Sequence, residues 1–593
     1  MKKNNIIYLL MSFFICFSCE DALEEKITGE WENTDVWRIP EMAEGVLMKA
    51  YASIAQMPDN YGNNFLDAAT DNALTNNFGS SVYKLSMGAL SATNNPIGNW
   101  SSCYENLQYV NEFLEKGLSD NILYNRVDED VNAQIKQRLE GEAYFLRAWW
   151  SFQLLMQYGG KTDTGEALGY PIVTRFITEE EAKDKEKFRR NTYQECVEQI
   201  IKDCNDAIRL LPETYTGSDP VTGDVNIGRA SKLSAAVLKS RVALYGASPA
   251  YQPDNVTQIT GMGSFAISDA GAYQKKWEYA ALVSDTILRR QGYGTFVALK
   301  AADLADGPNA TPKDFVFRKY FNNRGLETRH FPPSYFGTAQ TVPSQNLVDA
   351  FPAKNGFPVT DSRANISTDN PYASRDNRLD LNVYYQGRKF GTSGDPINVI
   401  KGGRDSQEFH PNGSRSGYYL AKYISKKDNM LNPTLLSNVI HYQPLLRKAE
   451  VFLNFAEAAN EAWGPTGKDP LNSCKYTAYD VIKLVRQLSG GITNTAYLDE
   501  MAADKETFRR LIQNERRLEF AFENQRYYDM RRWLLTLNKD VEGIEVKNEN
   551  SSLIFTRKTI EPRKFDDIRF YYAPLPYDEV VKNKNLINNL GWK

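Results

Sequence analysis

Apolar residues recur at three- and four-residue spacing over several long stretches of this chain, the mark of helices that bury one face. The pattern begins at 41–57 and is strongest over 131–158, where Leu139, Ala143, Leu146, Trp150 and Leu154 align before Gly159 and Gly160 stop the run. Tyr193, Val197, Ile200, Cys204, Ala207 and Leu211 follow, closed by Pro212. Leu233, Val237, Arg241 and Leu244 make a further helix before Pro249, and Trp277, Ala280, Val283 and Ile287 another. Much later come Leu446, Ala449, Leu453, Ala456 and Trp463, then 478–488, then one long helix over 508–533.

Paired helices with small Ala at their crossing positions and Pro after the second resemble tetratricopeptide units. The repeats are interrupted at 293–443, a segment rich in Gly, Pro, Asn and aromatics with only short strand-like runs, such as 383–385. A structureless loop of that length is foreign to a compact domain, so the segment is expected to pack as an irregular subdomain. Short strands are predicted at 552–556 and 568–572, before Pro574 and Pro576. The fold class is therefore mostly α: a tetratricopeptide-like helical repeat scaffold with long irregular insertions and a few short strands. Residues 38–292 form its N-terminal helical region and 293–593 its C-terminal region, expected as one compact unit.

The amino terminus carries a different pattern. Lys2 and Lys3 precede an apolar run over 6–17, then Ser18 and Cys19. This is a secretory signal, and the run is shorter than the roughly 20 residues a spanning helix needs. A cysteine just after a small residue resembles the site at which bacterial lipoproteins are cut and acylated, with Cys16 standing where such boxes usually carry Leu. Residues 1–18 are then the signal and Cys19 the lipidated residue, and 19–37 form a flexible acidic tether. Glu20, Asp21, Glu24 and Glu25 resemble the surface-export signal of Bacteroidetes lipoproteins. The expected location is the outer membrane, lipid-anchored and facing outward.

Composition narrows the function. With 42% hydrophobic and 24% charged residues the chain is globular, and its formal charge of −4, falling to −6 once Lys2 and Lys3 are removed, offers no basic surface to nucleic acid. Cys103, Cys196, Cys204 and Cys474 lack CxxC spacing, and Cys196 and Cys204 lie about 12 Å apart along one predicted helix, beyond disulfide reach. They read as packing residues. Three histidines, His330, His410 and His441, without HExxH or a Cys/His cluster point away from zinc. Gly413 to Gly417 reads GSRSG, with Arg415 where a hydrolase elbow needs Ser. Neither a cofactor nor a metal site is expected. Carboxylates Glu515, Glu519 and Glu523, at i, i+4 and i+8 beside Arg516, Arg526 and Arg531, read as a charge network bridging helices; a glycosidase pair is the competing reading.

The same residues carry a family resemblance. NERRLEFAFE at 514–523 followed by RYYDMRRW at 526–533 resembles the signature of SusD/RagB-like proteins. LRKAEVFLNFAEAANE at 446–461, VPSQNLVDAFPAKNG at 342–356, GYYLAKY at 417–423 and EGEAYFLRAWWSFQLLMQYGG at 140–160 are similar to the same family, as is the ending over 572–592. The resemblance implies a non-enzymatic surface lipoprotein that binds nutrients, usually oligosaccharides, as the lid of a SusC-like TonB-dependent outer-membrane transporter. It also implies a tetratricopeptide-like body with the irregular segments forming the ligand surface. Peptide cargo, as in RagB-like members, is the alternative.

A glycan site needs flat aromatic faces and planar polar side chains at the rim. Two segments offer both. Residues 67–100 carry Asp71, Asn72, Asn76, Asn77, Tyr83, Asn95 and Trp100, and 320–336 carry Arg324, Glu327, Tyr335 and Phe336. The candidate ligand-binding residues are Trp100, Tyr335, Phe336, Arg324, Asp71, Asn76 and Tyr83. Core packing competes at Trp100, which leads into a predicted helix, and turn capping competes at Asp71 and Asn76.

Overall fold

The computed structural model describes residues 36–253, 267–307, 311–392 and 394–592. The signal, Cys19 and the tether up to residue 35 lie outside the described residues.

The body is a stack of helices that pack in chain order. They are α1 (Pro40–Ala52), α2 (Trp100–Glu112), α3 (Glu129–Tyr158), α4 (Tyr193–Leu210), α5 (Lys232–Ala247), α6 (Ala270–Leu288), α7 (Lys448–Trp463), α8 (Ala478–Leu488), α9 (Lys505–Glu519) and α10 (Arg526–Arg532). Each from α2 to α8 lies against the next, and α9 packs on α7 and α8. Local chemistry starts most of them. Asp128 accepts from the Val131 amide and Asp269 from that of Ala272, while Thr192 with Glu195 and Thr477 with Asp480 form capping boxes. Their facing stripes, among them Leu146, Phe152, Ile200, Leu238, Leu244, Phe452 and Ile482, merge into one core. Cys103, Cys196, Cys204 and Cys474 are free and buried.

Helices α6 and α7 are direct neighbours although the long irregular segment separates them in sequence. The strands that flank this insertion explain how. With β1 (Ala73–Thr75), β2 (Phe315–Asn323), β3 (Thr341–Pro343), β4 (Val439–Arg447), β5 (Val541–Glu549) and β6 (Ser552–Glu561) numbered along the chain, β2 pairs antiparallel with β4 from Phe315 opposite Arg447 to Asn323 opposite Val439. That ladder draws together the two ends of the insertion. Asp314 completes the closure: its carboxylate accepts from the Ala449 amide at 3.0 Å, capping α7, and pairs with Arg447 at 2.6 Å. The insertion builds a second core from Phe331, Leu347, Phe351, Tyr384, Phe390 and Tyr419, into which Phe65, Leu74, Leu518 and Phe522 also project.

Two elements differ from the sequence pattern. The predicted helix 508–533 is two helices, α9 and α10, because Phe522 and Asn524 both adopt left-handed backbone with φ +61°. The cause is remote. Asp67, fully buried, accepts from the Phe522 amide at 3.0 Å and the Asn524 amide at 3.3 Å, supplying acceptors that a continuous helix would have supplied itself. Residues 568–572 are not a strand, since Ile568–Tyr571 form a 3-10 turn capped by Asp567. The longest hairpin, β5 with β6, extends well beyond the predicted 552–556.

The charge network is present, with partners different from those at hand in the sequence. Glu515 pairs with Arg378 of the insertion at 2.6 Å and Arg486 of α8 at 2.8 Å; Glu519 meets Arg447 at 2.7 Å; Glu523 meets Arg447 and Lys422, each at 2.7 Å. Arg516 turns instead to Asp529 at 3.0 Å, Arg526 to Asp71 at 2.9 Å, and Arg531 donates to the Phe570 carbonyl. These groups are buried, so the network seams the insertion to the helical stack.

Candidate functional site

Three segments distant in sequence lie side by side on the insertion: 76–83, 333–340 and 404–415. The first leaves β1, whose partner β3 continues the second, and the Asn76 amide extends that ladder to the Gln340 carbonyl at 2.8 Å. The Asn76 side chain donates to the Gly413 carbonyl at 3.1 Å, joining the first segment to the third. Arg415 strengthens that join by donating to the Thr75 carbonyl at 3.0 Å while paired with Glu561 at 2.7 Å. Asp405 joins the third segment to the second. Buried completely, its carboxylate accepts from the Ser334 hydroxyl and from the Asn398 amide at 2.8 Å, and its carbonyl accepts from Tyr419.

Each segment presents an aromatic ring to solvent: Phe78 is 55% exposed, Phe336 57% and Phe409 59%. Three exposed Phe rings on adjoining loops are apolar surface that this chain leaves uncovered, which makes the region a candidate binding face. Neighbouring side chains pack against two of these rings. Tyr83 packs edge-on to Phe78 at 5.0 Å and the Arg415 guanidinium lies 4.6 Å from the Phe78 centroid; Phe409 is T-shaped to His410 at 5.0 Å. Phe336 sits at φ +65°, a conformation that a bulky residue adopts only where its surroundings impose it. The Tyr335 ring lies tilted against Phe390 at 4.3 Å beneath Arg404, and burial pushes its phenol pKa up.

Of the residues singled out in the sequence, the fold gathers Asn76, Tyr83, Tyr335 and Phe336 in these three segments and places Asp71, Trp100 and Arg324 elsewhere. Asp71 is buried between Arg526 at 2.9 Å and Arg517 at 3.2 Å. Trp100 is buried at the start of α2 with its ring on Tyr104 and Tyr158, and the Tyr158 hydroxyl accepts from its amide at 3.0 Å. Arg324 is exposed at the far end of β2, donating to Asn438 at 3.2 Å. Glu327 is buried against His441 at 2.8 Å. Phe78 and Phe409 were not singled out. Their signal was an aromatic inside a polar turn, Asn77-Phe78-Gly79-Ser80 and Phe409-His410-Pro411-Asn412-Gly413, where no core position is available.

Comparison with known proteins agrees with this architecture. The SusD family model matches residues 307–592, and a second model, described as starch-binding and associating with the outer membrane, matches 23–244. A SusD-like protein from Bacteroides fragilis has a TM-score of 0.70 at 23% identity over 95% of this chain and 99% of its own. A SusD-like carbohydrate-binding protein from the same organism gives 0.66 at 21%, covering 93% and 99%. SusD-like protein P2 of Formosa agariphila is 32% identical over 157 residues, 26% of this chain and 26% of that protein. Matched by two family models over successive parts of its length and along nearly all of it by the fold, the chain belongs to the SusD family of non-catalytic binding proteins.

Proposed function

We propose that the aromatic face formed by Phe78, Tyr83, Phe336 and Phe409 binds an oligosaccharide at the cell surface, and that the protein acts as the lid of a SusC-like TonB-dependent importer. The observation that carries the reading is that three loops tied together by Asp405, Asn76 and Arg415 each expose a Phe ring. Flat rings take the C–H faces of sugar rings, while Asn76, His410 and Arg404 supply hydroxyl partners at the edge. The carbohydrate binding named for the B. fragilis relative and the starch-binding family description support the ligand class.

Calorimetry with soluble protein against a panel of plant, algal and host oligosaccharides tests this. Phe78→Ala and Phe409→Ala are each expected to weaken the best ligand about three- to tenfold with the urea midpoint unchanged, the range of one aromatic contact. Binding of peptide pools with no glycan binding would instead assign peptide cargo. The anchor has its own test: Cys19→Ala is expected to move the protein from the membrane to the soluble fraction, and retention in the membrane would refute lipidation. Co-purification with a large barrel protein from outer membranes tests the lid.

A further inference from the structure

A cleft of about 370 Å³ opens between the helical stack and the first residues after α1, at a place that shares no residue with the aromatic face. Its volume lies within the roughly 300–1,000 Å³ typical of small-molecule sites. Trp149 and Trp150 of α3, Tyr245 of α5 and Tyr528 of α10 line it with aromatic surface. Polar side chains line it as well, Gln153 from α3, Gln443 from β4, Gln525 from the turn between α9 and α10, and Asn60, Asn99 and Ser102. Ser53, Asn60 and Ser102 are exposed, so the cleft is open to solvent.

Two of the polar groups are unmatched. Gln443 is only 9% exposed, and its carbonyl oxygen has no hydrogen-bond partner among the described residues; the same holds for the buried Asn99 Oδ1. Leaving a buried acceptor unpaired is costly, and such groups are normally satisfied by a ligand or water. The charged groups at the cleft are matched within the protein. Arg241 pairs with Glu450 at 2.6 Å, Arg516 with Asp529 at 3.0 Å, and Glu523 with Lys422 and Arg447 at 2.7 Å each. The site therefore offers aromatic surface, unpaired acceptors for hydroxyl donors and no free charge.

We infer that this cleft is a second binding site, taking one neutral polyhydroxylated molecule of the size of a mono- or disaccharide. Hydroxyl protons of the occupant would meet Gln443 Oε1 and Asn99 Oδ1 while its carbon skeleton lies against the Trp149 and Trp150 side.

The test uses glucose, galactose, N-acetylglucosamine and maltose as probes in ligand-observed NMR and calorimetry. At least one probe is expected to bind saturably and one-to-one. Gln443→Leu removes the acceptor at similar volume and should weaken that probe about tenfold. The exposed Ser102→Trp closes the mouth and should abolish binding without touching the core. Repeating the measurements in a Phe78→Ala/Phe409→Ala background, where the aromatic face is weakened, makes the losses on Gln443→Leu and Ser102→Trp report the cleft alone and keeps the two proposals independent. Absence of saturable binding by any probe at millimolar concentration, binding indifferent to both Gln443→Leu and Ser102→Trp, or only water in the cleft of probe-soaked crystals would each overturn the inference.

Discussion

Replacing Arg447 with Met is expected to cost about 3–5 kcal/mol of stability, read as a fall in the urea midpoint, the usual effect of removing one partner from a buried ion pair. Arg447 is 1% exposed and is the hub at which three carboxylates meet: Asp314 at 2.6 Å, and Glu519 and Glu523 at 2.7 Å each. Met keeps much of the volume, so the loss isolates the charge. Burial alone would raise the Glu519 pKa, and the Arg447 and Arg378 guanidinium groups overrule it and hold its carboxyl below the ordinary range. Without Arg447, Asp314 loses its cation, Glu519 keeps only Arg378 at 3.7 Å, and Glu523 keeps only Lys422. The same residue ends β4 and precedes α7, so the strain would fall where the insertion joins the stack. Adding Glu519→Gln and Glu523→Gln to Arg447→Met should recover part of the loss, since these sites are directly coupled. A single variant with the wild-type midpoint would show that the seam contributes nothing.

The helical stack was legible because helix formation repeats its evidence every three or four residues, and capping residues such as Thr192, Thr477 and Asp128 mark the starts. The break between α9 and α10 was not legible, because 521–524 contains neither Gly nor Pro. Its cause is the Asp67 carboxylate, which reaches the Phe522 amide from 455 positions away in the chain. Much the same limit applied to the candidate site. Composition pointed to 67–100 and 320–336, yet the face is assembled by Asp405, Asn76 and Arg415, whose contacts run between segments. No periodicity reports such contacts. The burial of Trp100 was hidden for the opposite reason. An aromatic beside a polar loop can belong to the helix that follows, and its partner Tyr158 lies at the far end of α3.

Asp71→Asn is expected to lower stability by about 3–5 kcal/mol at pH 7, and the gap between variant and wild type should narrow as the pH is taken toward 3. Asp71 sits between Arg526 and Arg517, with Arg517 also bonded to Asn72 at 2.7 Å. Burial pushes its pKa up; Arg517 and Arg526 push harder in the other direction, leaving the carboxyl well below the ordinary range. The sign follows. A carboxyl whose folded pKa lies below its unfolded value of about 3.9 is bound by more protons in the unfolded chain, so stability rises with pH through that region. Its contribution is complete above the unfolded value and is lost as the pH falls toward the folded one. Asn cannot titrate and places an amide donor against two guanidinium groups, so the variant lacks the contribution at every pH. Asp314 and Asp203, whose pKa values burial raises above the ordinary range, respond in the opposite sense. They are common to both proteins, and the difference between urea midpoints at each pH removes them. A gap that stays constant from pH 7 to pH 3 would mean that the charge on Asp71 does not hold α9 and α10 against the loop at 67–72.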